Sequence, residues 1–340
     1  MRSSATIVGI GFALLAGTLA CKPQVGDPAS LIAGPTLLAV RGEPAEASPD
    51  QPVNYTLIAA DMDGPIPAPN AVVTAPALWS ICNVPKPPTE TNAVNRACLD
   101  MNALPGTEGP TPTTFQAPMP DNACQLFGPQ SPPVVGNAPA IRPRDPDVTG
   151  GYYLPVRVGL NVPQELWRPG MATQDALVGF GLERIFCGLA YAPADALRQY
   201  NQTYQPNQNP RIDFVSYQID DNNAQVLEPA VGFAPSRTQI PMGSTVMFET
   251  SWTEDVVESY PAYDVLSRAL KTHREAMRVS WYATSGVFDH DTTGRGEDET
   301  DLYTDNIWHP NRIGPLHLWA VLRDSRGGVD SAYFQLEITP

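Results

Sequence analysis

Lysine is nearly missing from this 340-residue chain. Lys22, Lys86 and Lys271 stand beside eighteen arginines, and 21 basic residues face 36 acidic ones for a net charge of −15. Such a balance repels polyphosphates and argues against nucleic-acid partners. Histidine is scarce too: His273, His290, His309 and His317 are the full set, and none lies at metal-ligand spacing from another. No Gly-x-Ser-x-Gly elbow, phosphate-cradling loop or His-Glu-x-x-His helix occurs, so no catalytic constellation is present and the chain reads as a non-enzyme. Beyond residue 20 no apolar run is long enough to span a bilayer, and long helical periodicities are few.

What is present points to strands and loops. Thirty-seven prolines and 26 glycines separate short runs rich in Val, Thr, Tyr and Trp, the texture of an all-β protein, and the length suggests two domains. The first residues differ in kind. Arg2 precedes a small and apolar stretch from Ile7 to Ala20, the length of a signal-peptide core and too short for a permanent span, and Cys21 follows. Setting Cys21 aside leaves Cys82, Cys98, Cys124 and Cys187, an even set suited to two disulfides in an oxidising compartment. Four cysteines allow three pairings. The pairing favoured is Cys82–Cys98, closing a loop onto a strand end, with Cys124–Cys187 pinning a long insertion to the sheet.

Thr18-Leu19-Ala20-Cys21 resembles the lipobox of bacterial lipoproteins. The resemblance implies a signal peptide over 1–20, cleavage before Cys21 and acylation of that cysteine, including palmitate. Several acyl chains suffice for stable anchoring where one is marginal. Lys22 stands where the inner-membrane retention signal of such proteins has Asp, so the resemblance implies a lipid-anchored outer-membrane protein, facing the periplasm or the surface. Residues 21–34 then read as lipidated N-terminus and flexible tether.

Strand signals begin at Pro35–Arg41 and continue at Val53–Ala60 and Val72–Cys82, where Trp79 is the candidate core aromatic. From Asn83 to Gly150 periodicity fails, and Pro105 to Pro146 holds eleven prolines, an insertion with little ladder capacity. Strands resume at Tyr152–Leu160 and Ala176–Tyr191. Residues 194–210, with a short helical signal at Asp195–Tyr200, read as a linker between a first domain (35–193) and a second (211–340). In the second, strands are expected at Arg211–Ile219, Ser244–Thr250, Arg278–Thr284, Pro315–Arg323 and Val329–Ile338. Val265, Leu266, Ala269, Leu270, His273 and Met277 recur at helical spacing behind a capping Asp264, so a short helical insertion is expected over 260–277.

Strand, Pro-rich turn, alternating strand and Asp61-Met-Asp-Gly64 resemble the opening of an immunoglobulin-like sandwich of the bacterial PKD or cadherin-like kind. Val279-Ser-Trp-Tyr-Ala-Thr-Ser-Gly-Val-Phe288, an Asn306-Ile-Trp-His-Pro310 turn and a closing hairpin around Asp324–Gly328 resemble the same family. The resemblance implies an all-β fold of two immunoglobulin-like sandwiches and says almost nothing of function.

One chemical signal remains. Asp289 to Asp305 carries seven carboxylates around Gly294 and Gly296, and Asp289, Asp291, Glu297 and Asp301 are candidate calcium ligands, although a solvated acidic loop is the plainer reading. No other cofactor is indicated. Two roles are therefore expected in competition. One is a non-catalytic envelope lipoprotein that is structural or docks another envelope protein. The other is a surface adhesion or glycan/protein-binding module, calcium-assisted or not, for which Tyr152, Tyr153, Trp167, Tyr200 and Tyr204 would form an aromatic platform.

Overall fold

The computed structural model describes residues 28–66, 77–85, 94–99, 107–108, 113–129, 151–160, 177–230 and 237–340. Cys21, the signal segment, residues 22–27, Trp167 and most of the Pro-rich insertion lie outside them.

The first sandwich is built from β1 (Thr36–Glu43), β2 (Glu46–Ala47), β3 (Pro52–Asp61), β4 (Gly64–Ile66), β5 (Leu78–Ile81), β6 (Thr107–Glu108), β7 (Thr114–Pro118), β8 (Tyr153–Leu160) and β9 (Leu177–Ile185). In one sheet β3 pairs with β1 on one side and with β4 and β7 on the other; the second sheet runs β2-β9-β8-β5-β6, with β2 parallel to β9. The helices α1 (Ala123–Leu126) and α2 (Ala194–Thr203) flank it. The expected insertion over 83–150 is thus more structured than its prolines suggest, since Thr114–Pro118 supplies a strand and α1 a helical turn. Pro118 sits at the end of an edge strand, where a missing N–H costs no ladder bond.

The second sandwich repeats this wiring. It comprises β10 (Ile212–Ile219), β11 (Gln225–Val226), β12 (Thr238–Pro241), β13 (Val246–Trp252), β14 (Ser259–Asp264), β15 (Ala269–Arg274), β16 (Met277–Ala283), β17 (Val287–Phe288), β18 (Thr292–Arg295), β19 (Tyr303–His309), β20 (Gly314–Asp324) and β21 (Val329–Thr339). Its sheets run β11-β10-β13-β19-β17 and β12-β21-β20-β16-β18, with β12 parallel to β21. In both sandwiches the first strand pairs antiparallel with the main second strand. Between those two the chain visits the other sheet, where a short strand lies parallel to the last one. This is immunoglobulin-like topology, twice.

Alternation explains the two inner cores. Val53, Tyr55, Leu57 and Ala59 of β3 face Trp79 and Leu154, Val156 and Val158 of β8; Met277, Val279 and Trp281 of β16 face Val246 and Phe248 of β13 and Trp308 of β19. A third apolar layer lies between the sandwiches. Leu38, Ala39, Ile58 and Ala60 from the outer face of β1 and β3 pack on Trp319 and Val321 of β20, with Tyr282, Val329 and Tyr333. The two sandwiches therefore stack face to face as four sheets. Strand β20 is buried on both sides: Leu318, Trp319, Ala320, Val321 and Leu322 are at most 2% exposed. Such a strand reads as a continuous apolar run because neither face meets water.

Three expectations are corrected. Residues 260–277 form the hairpin β14–β15, not a helix. Asp264 accepts the Leu266 and Ser267 N–H groups to make a turn, which Arg268 closes at φ 54°. The hairpin is an arm reaching the first sandwich, where Tyr263 joins the core that also holds Tyr200, and Leu270 packs against that core. Asn306–His309 is strand rather than turn, paired to β13 and β17. Residues 28–32 are docked, not free: Ser30 O accepts Ala283 N–H (2.8 Å), and Ile32 N–H donates to Ala283 O (2.9 Å). Ile32 is fully buried, and its burial fixes a segment whose composition suggested a tether.

The disulfides join Cys82 to Cys98 (Cα separation 5.7 Å) and Cys124 to Cys187 (5.4 Å). One ties a short 3-10 turn, Arg96–Leu99, to the end of β5; the other ties α1 to the chain just after β9. Trp319→Ala, which empties the layer between the sandwiches, should cost about 3–5 kcal/mol. Differential scanning calorimetry should then resolve two transitions where the parent shows one, and an unchanged single transition would show that the Trp319 layer is not what couples the sandwiches.

Candidate functional site

The densest polar chemistry sits at the junction of the two sandwiches. Arg326, in the β20–β21 turn, is 1% exposed, and its Nε donates to Glu275 Oε1 at 2.7 Å while its Nη2 bonds Glu258. Nη1 donates to the Gln205 carbonyl at 3.1 Å and lies 3.9 Å from Glu46 Oε2. The guanidinium also stacks 4.7 Å from the centre of the Tyr260 ring on the β14 arm. Glu46 of β2 pairs with Arg184 of β9 (3.3 Å) and accepts the Tyr204 hydroxyl (2.7 Å) and the Asn207 N–H (2.8 Å). Asp324 accepts Asn207 Nδ2 (3.1 Å) and the backbone N–H groups of Arg326 and Gly328. The expected linker is held here. Helix α2 buries Ala196 and Tyr200 in the first core, and the extended chain after it is clamped residue by residue.

Four carboxylates thus share a buried space with two guanidinium groups. Burial, then Asp324, raises the Glu275 carboxyl to about 7 against the pull of Arg326. Burial likewise raises Glu258 and Asp324. It works to lower Arg326, but Glu275 and Tyr204 outweigh it and the guanidinium stays charged. The Tyr204 hydroxyl is pushed up to about 12, first by burial and then by Glu46, and remains a donor. Deeper in the first core, Glu183 reaches about 9 through burial, Glu46 and Glu43.

Beside the network lies a cleft of about 410 Å³ lined by Arg41, Asn209, Arg211, Asp255, Glu258 and Asp330, among others. Its ionisable groups are already engaged: Arg41 with Asp330 (3.2 Å), Arg211 with Asp255 (3.7 Å) and Glu258 with Arg326. Asn209 donates to the Gly42 carbonyl at 2.7 Å. A cleft so arranged joins two bodies and offers no unpaired acid or base to a substrate.

The candidate calcium ligands do not converge. Asp289 lies 3.4 Å from His309, Asp291 accepts the Ser30 N–H (3.1 Å), Glu297 bonds His273 (2.8 Å) and Asp301 lies 3.8 Å from Arg295. Strand β18 separates Asp291 from Glu297 and sends each to a different partner. Among the described residues no group of three or more His, Cys, Asp or Glu is placed to hold a metal ion. The aromatic platform is not formed either, because Tyr152, Tyr200 and Tyr204 are buried and Tyr153 is half-buried, hydrogen-bonded to Arg184 and Arg326. Asp61 accepts the Asp63 N–H within its own turn, and His317 bonds the Tyr333 hydroxyl (2.6 Å). The junction residues were missed from sequence. Glu46, Glu258, Glu275, Asp324 and Arg326 share no spacing, and only the fold brings them together.

No family model matches the chain, and no curated protein matches it. Solved structures similar to it include red sea bream transglutaminase (7% identity, TM-score 0.24, over 91% of this chain and 32% of that one). They also include the D0-D1 domain of intimin (9%, 0.20, 88% and 98%) and dimeric latent PorU from Porphyromonas gingivalis (9%, 0.20, 90% and 24%). The chain thus spans about a third of the transglutaminase and a quarter of PorU. At these scores the likenesses carry no argument about activity.

Two outcomes follow from the buried charges. Arg326→Leu leaves Glu275 and Glu258 uncompensated and should cost about 3–5 kcal/mol in urea unfolding, far more than an exposed arginine would. Glu183 and Glu275 are both raised above 4.5, so the folded state holds protons that the unfolded state releases. Their stabilisation is full below pH 4.5 and is lost as pH climbs through 7 and then 9. The urea midpoint should therefore fall between pH 5 and 9, by at most about 1.4 kcal/mol per pH unit for each group. Glu183→Gln should flatten the upper limb of that profile; a parent midpoint that rises with pH would contradict the assignment.

Proposed function

We propose that this chain is a non-catalytic lipoprotein of the outer membrane, anchored through Cys21, whose paired sandwiches act as one rigid structural or protein-docking unit of the cell envelope. The observation that carries the reading is the face-to-face stack, in which β20 is buried on both sides and the junction's charges are spent on one another. A rigid body with an occupied junction suits holding or spacing better than turnover, since catalysis needs groups left available to a substrate. The lipobox resemblance supplies the address, and the even set of remaining cysteines, joined in two disulfides, fits an oxidising compartment. The reading as an adhesion or glycan-binding module draws no support from the buried Tyr152, Tyr200 and Tyr204, and its calcium-assisted form draws none from the separated carboxylates.

Labelled palmitate should enter the protein in cells and be lost in Cys21→Ala, and the parent should fractionate with the outer membrane. In-cell cross-linking should then trap a specific envelope protein. A chain that takes up no palmitate and is recovered free in the medium would defeat the reading.

A further inference from the structure

The two ends of the second sandwich are unlike. One end carries Arg326 and the β14–β15 arm and is locked to the first sandwich. At the other, four turns and the C-terminus meet. Asp220 N–H bonds Thr245 O (2.9 Å), Met242 N–H bonds Thr339 O (2.7 Å) and Gly286 N–H bonds Asn311 Oδ1 (2.8 Å). Gly286 has φ +83°, and a Cβ there would come within 2.2 Å of Trp308, so this turn is held to one tight shape. Large apolar side chains are exposed here: Met242 at 39% and Ile313 at 55% on two of these turns, and Val287 at 47% on β17 directly after the Gly286 turn. A fourth comes from the first sandwich, where Met62 is 49% exposed on the Asp61–Gly64 turn. That turn belongs to the same end, because a Cβ on Gly64 would lie 3.3 Å from the His317 ring.

The chain also enters here. Ser30–Ile32 pairs with Ala283, the last residue of β16, and the Ser30 N–H is held by Asp291. Cys21 precedes Pro28 by seven residues, and a fully extended chain of that length reaches about 25 Å. The docked segment therefore shortens the leash on any lipid at Cys21. We infer that this turn-lined end rests on the bilayer, with Met62, Met242, Val287 and Ile313 in the headgroup region. The inference rests on the lipid-anchor reading above and adds to it a fixed face.

The rival apolar tip, Val265 and Leu266 on the arm (52% and 96% exposed), is disfavoured by its place at the end opposite the chain's entry rather than by hydrophobicity. The arm leaves from beyond Trp252, the far end of β13, six residues or about 20 Å along the strand from Val246. Charge selects the lipid. Asp61, Asp63, Asp220, Asp221 and Asp289 outnumber Arg312 at this end, so an anionic surface is disfavoured and a zwitterionic one, contacted through apolar side chains, is the partner.

The test uses the chain from Lys22 with a hexahistidine segment in place of the acyl group, held on nickel-chelating lipid in phosphatidylcholine vesicles. Val287→Cys, Ile313→Cys and Leu266→Cys are labelled one at a time with a fluorophore on the folded protein, whose native cysteines are paired, and a spin-labelled headgroup serves as quencher. Quenching should be several-fold stronger at 287 and 313 than at 266 and insensitive to salt. Equal quenching at the three sites, or stronger quenching at 266, overturns the inference. Because the nickel tether replaces the natural anchor, the result does not depend on palmitate at Cys21, and the two readings fail separately.

Discussion

The burial of strand Gly314–Asp324 on both of its faces is the constraint on which the rest of the molecule depends. An immunoglobulin-like sandwich normally hides one face of each sheet and wets the other. Here the outer face of the second sandwich, carrying Trp319 and Val321, is covered by the first strands of its neighbour. Once those faces meet, the linker cannot be loose and the arm of residues 259–274 has a core to enter. The N-terminal segment gains a sheet edge to pair with. Each of these attachments would cost conformational entropy without return if the sandwiches hung as separate beads.

The charge network is a consequence of that stacking and not its cause. Taking four carboxylates and two guanidinium groups out of water is expensive, and paired charges in such a setting contribute little net stability. What they contribute is register. Arg326 satisfies Glu275, Glu258 and the Gln205 carbonyl only when the turn after β20, the arm and the linker occupy one relative position. The apolar layer would tolerate small slides between the sheets, whereas the hydrogen-bonded charges do not. The surplus of carboxylate over guanidinium is accommodated by protons, with Glu275 near neutrality.

Much of the fold was legible in the sequence, and the reason is local. Alternating Val53–Ala59 and Met277–Ala283 announce half-buried strands, and the unbroken Leu318–Leu322 run announces the doubly buried one. The helix expected over 260–277 failed because Val265, Leu266, Ala269 and Leu270 match a helical period by chance. The turn chemistry of Asp264 and the exposure of Leu266 obey the hairpin instead. Strand β19 was hidden by its Asn-x-Trp-His-Pro ending, which reads as a turn although Trp308 is fully buried between the sheets. The junction left no trace, since residues as distant as Glu46 and Arg326 are neighbours only after two sandwiches have folded and stacked.

The asymmetry between the ends of the second sandwich also has a physical logic. A body whose junction is fixed by buried charge gains nothing by turning that end to a bilayer, since its polar groups are already satisfied and further desolvation only adds cost. The end without such charges can tolerate contact, and its aliphatic turns gain from it. The docked Ser30–Ile32 segment links these two facts. It pairs with β16 at the end with the apolar turns, and it leads directly into β1, whose outer face builds the layer against Trp319. Strain applied through the N-terminus would therefore be borne first by sheet hydrogen bonds at Ala283 rather than by the junction. The face proposed to meet lipid and the protected junction would then both follow from one short stretch of backbone pairing.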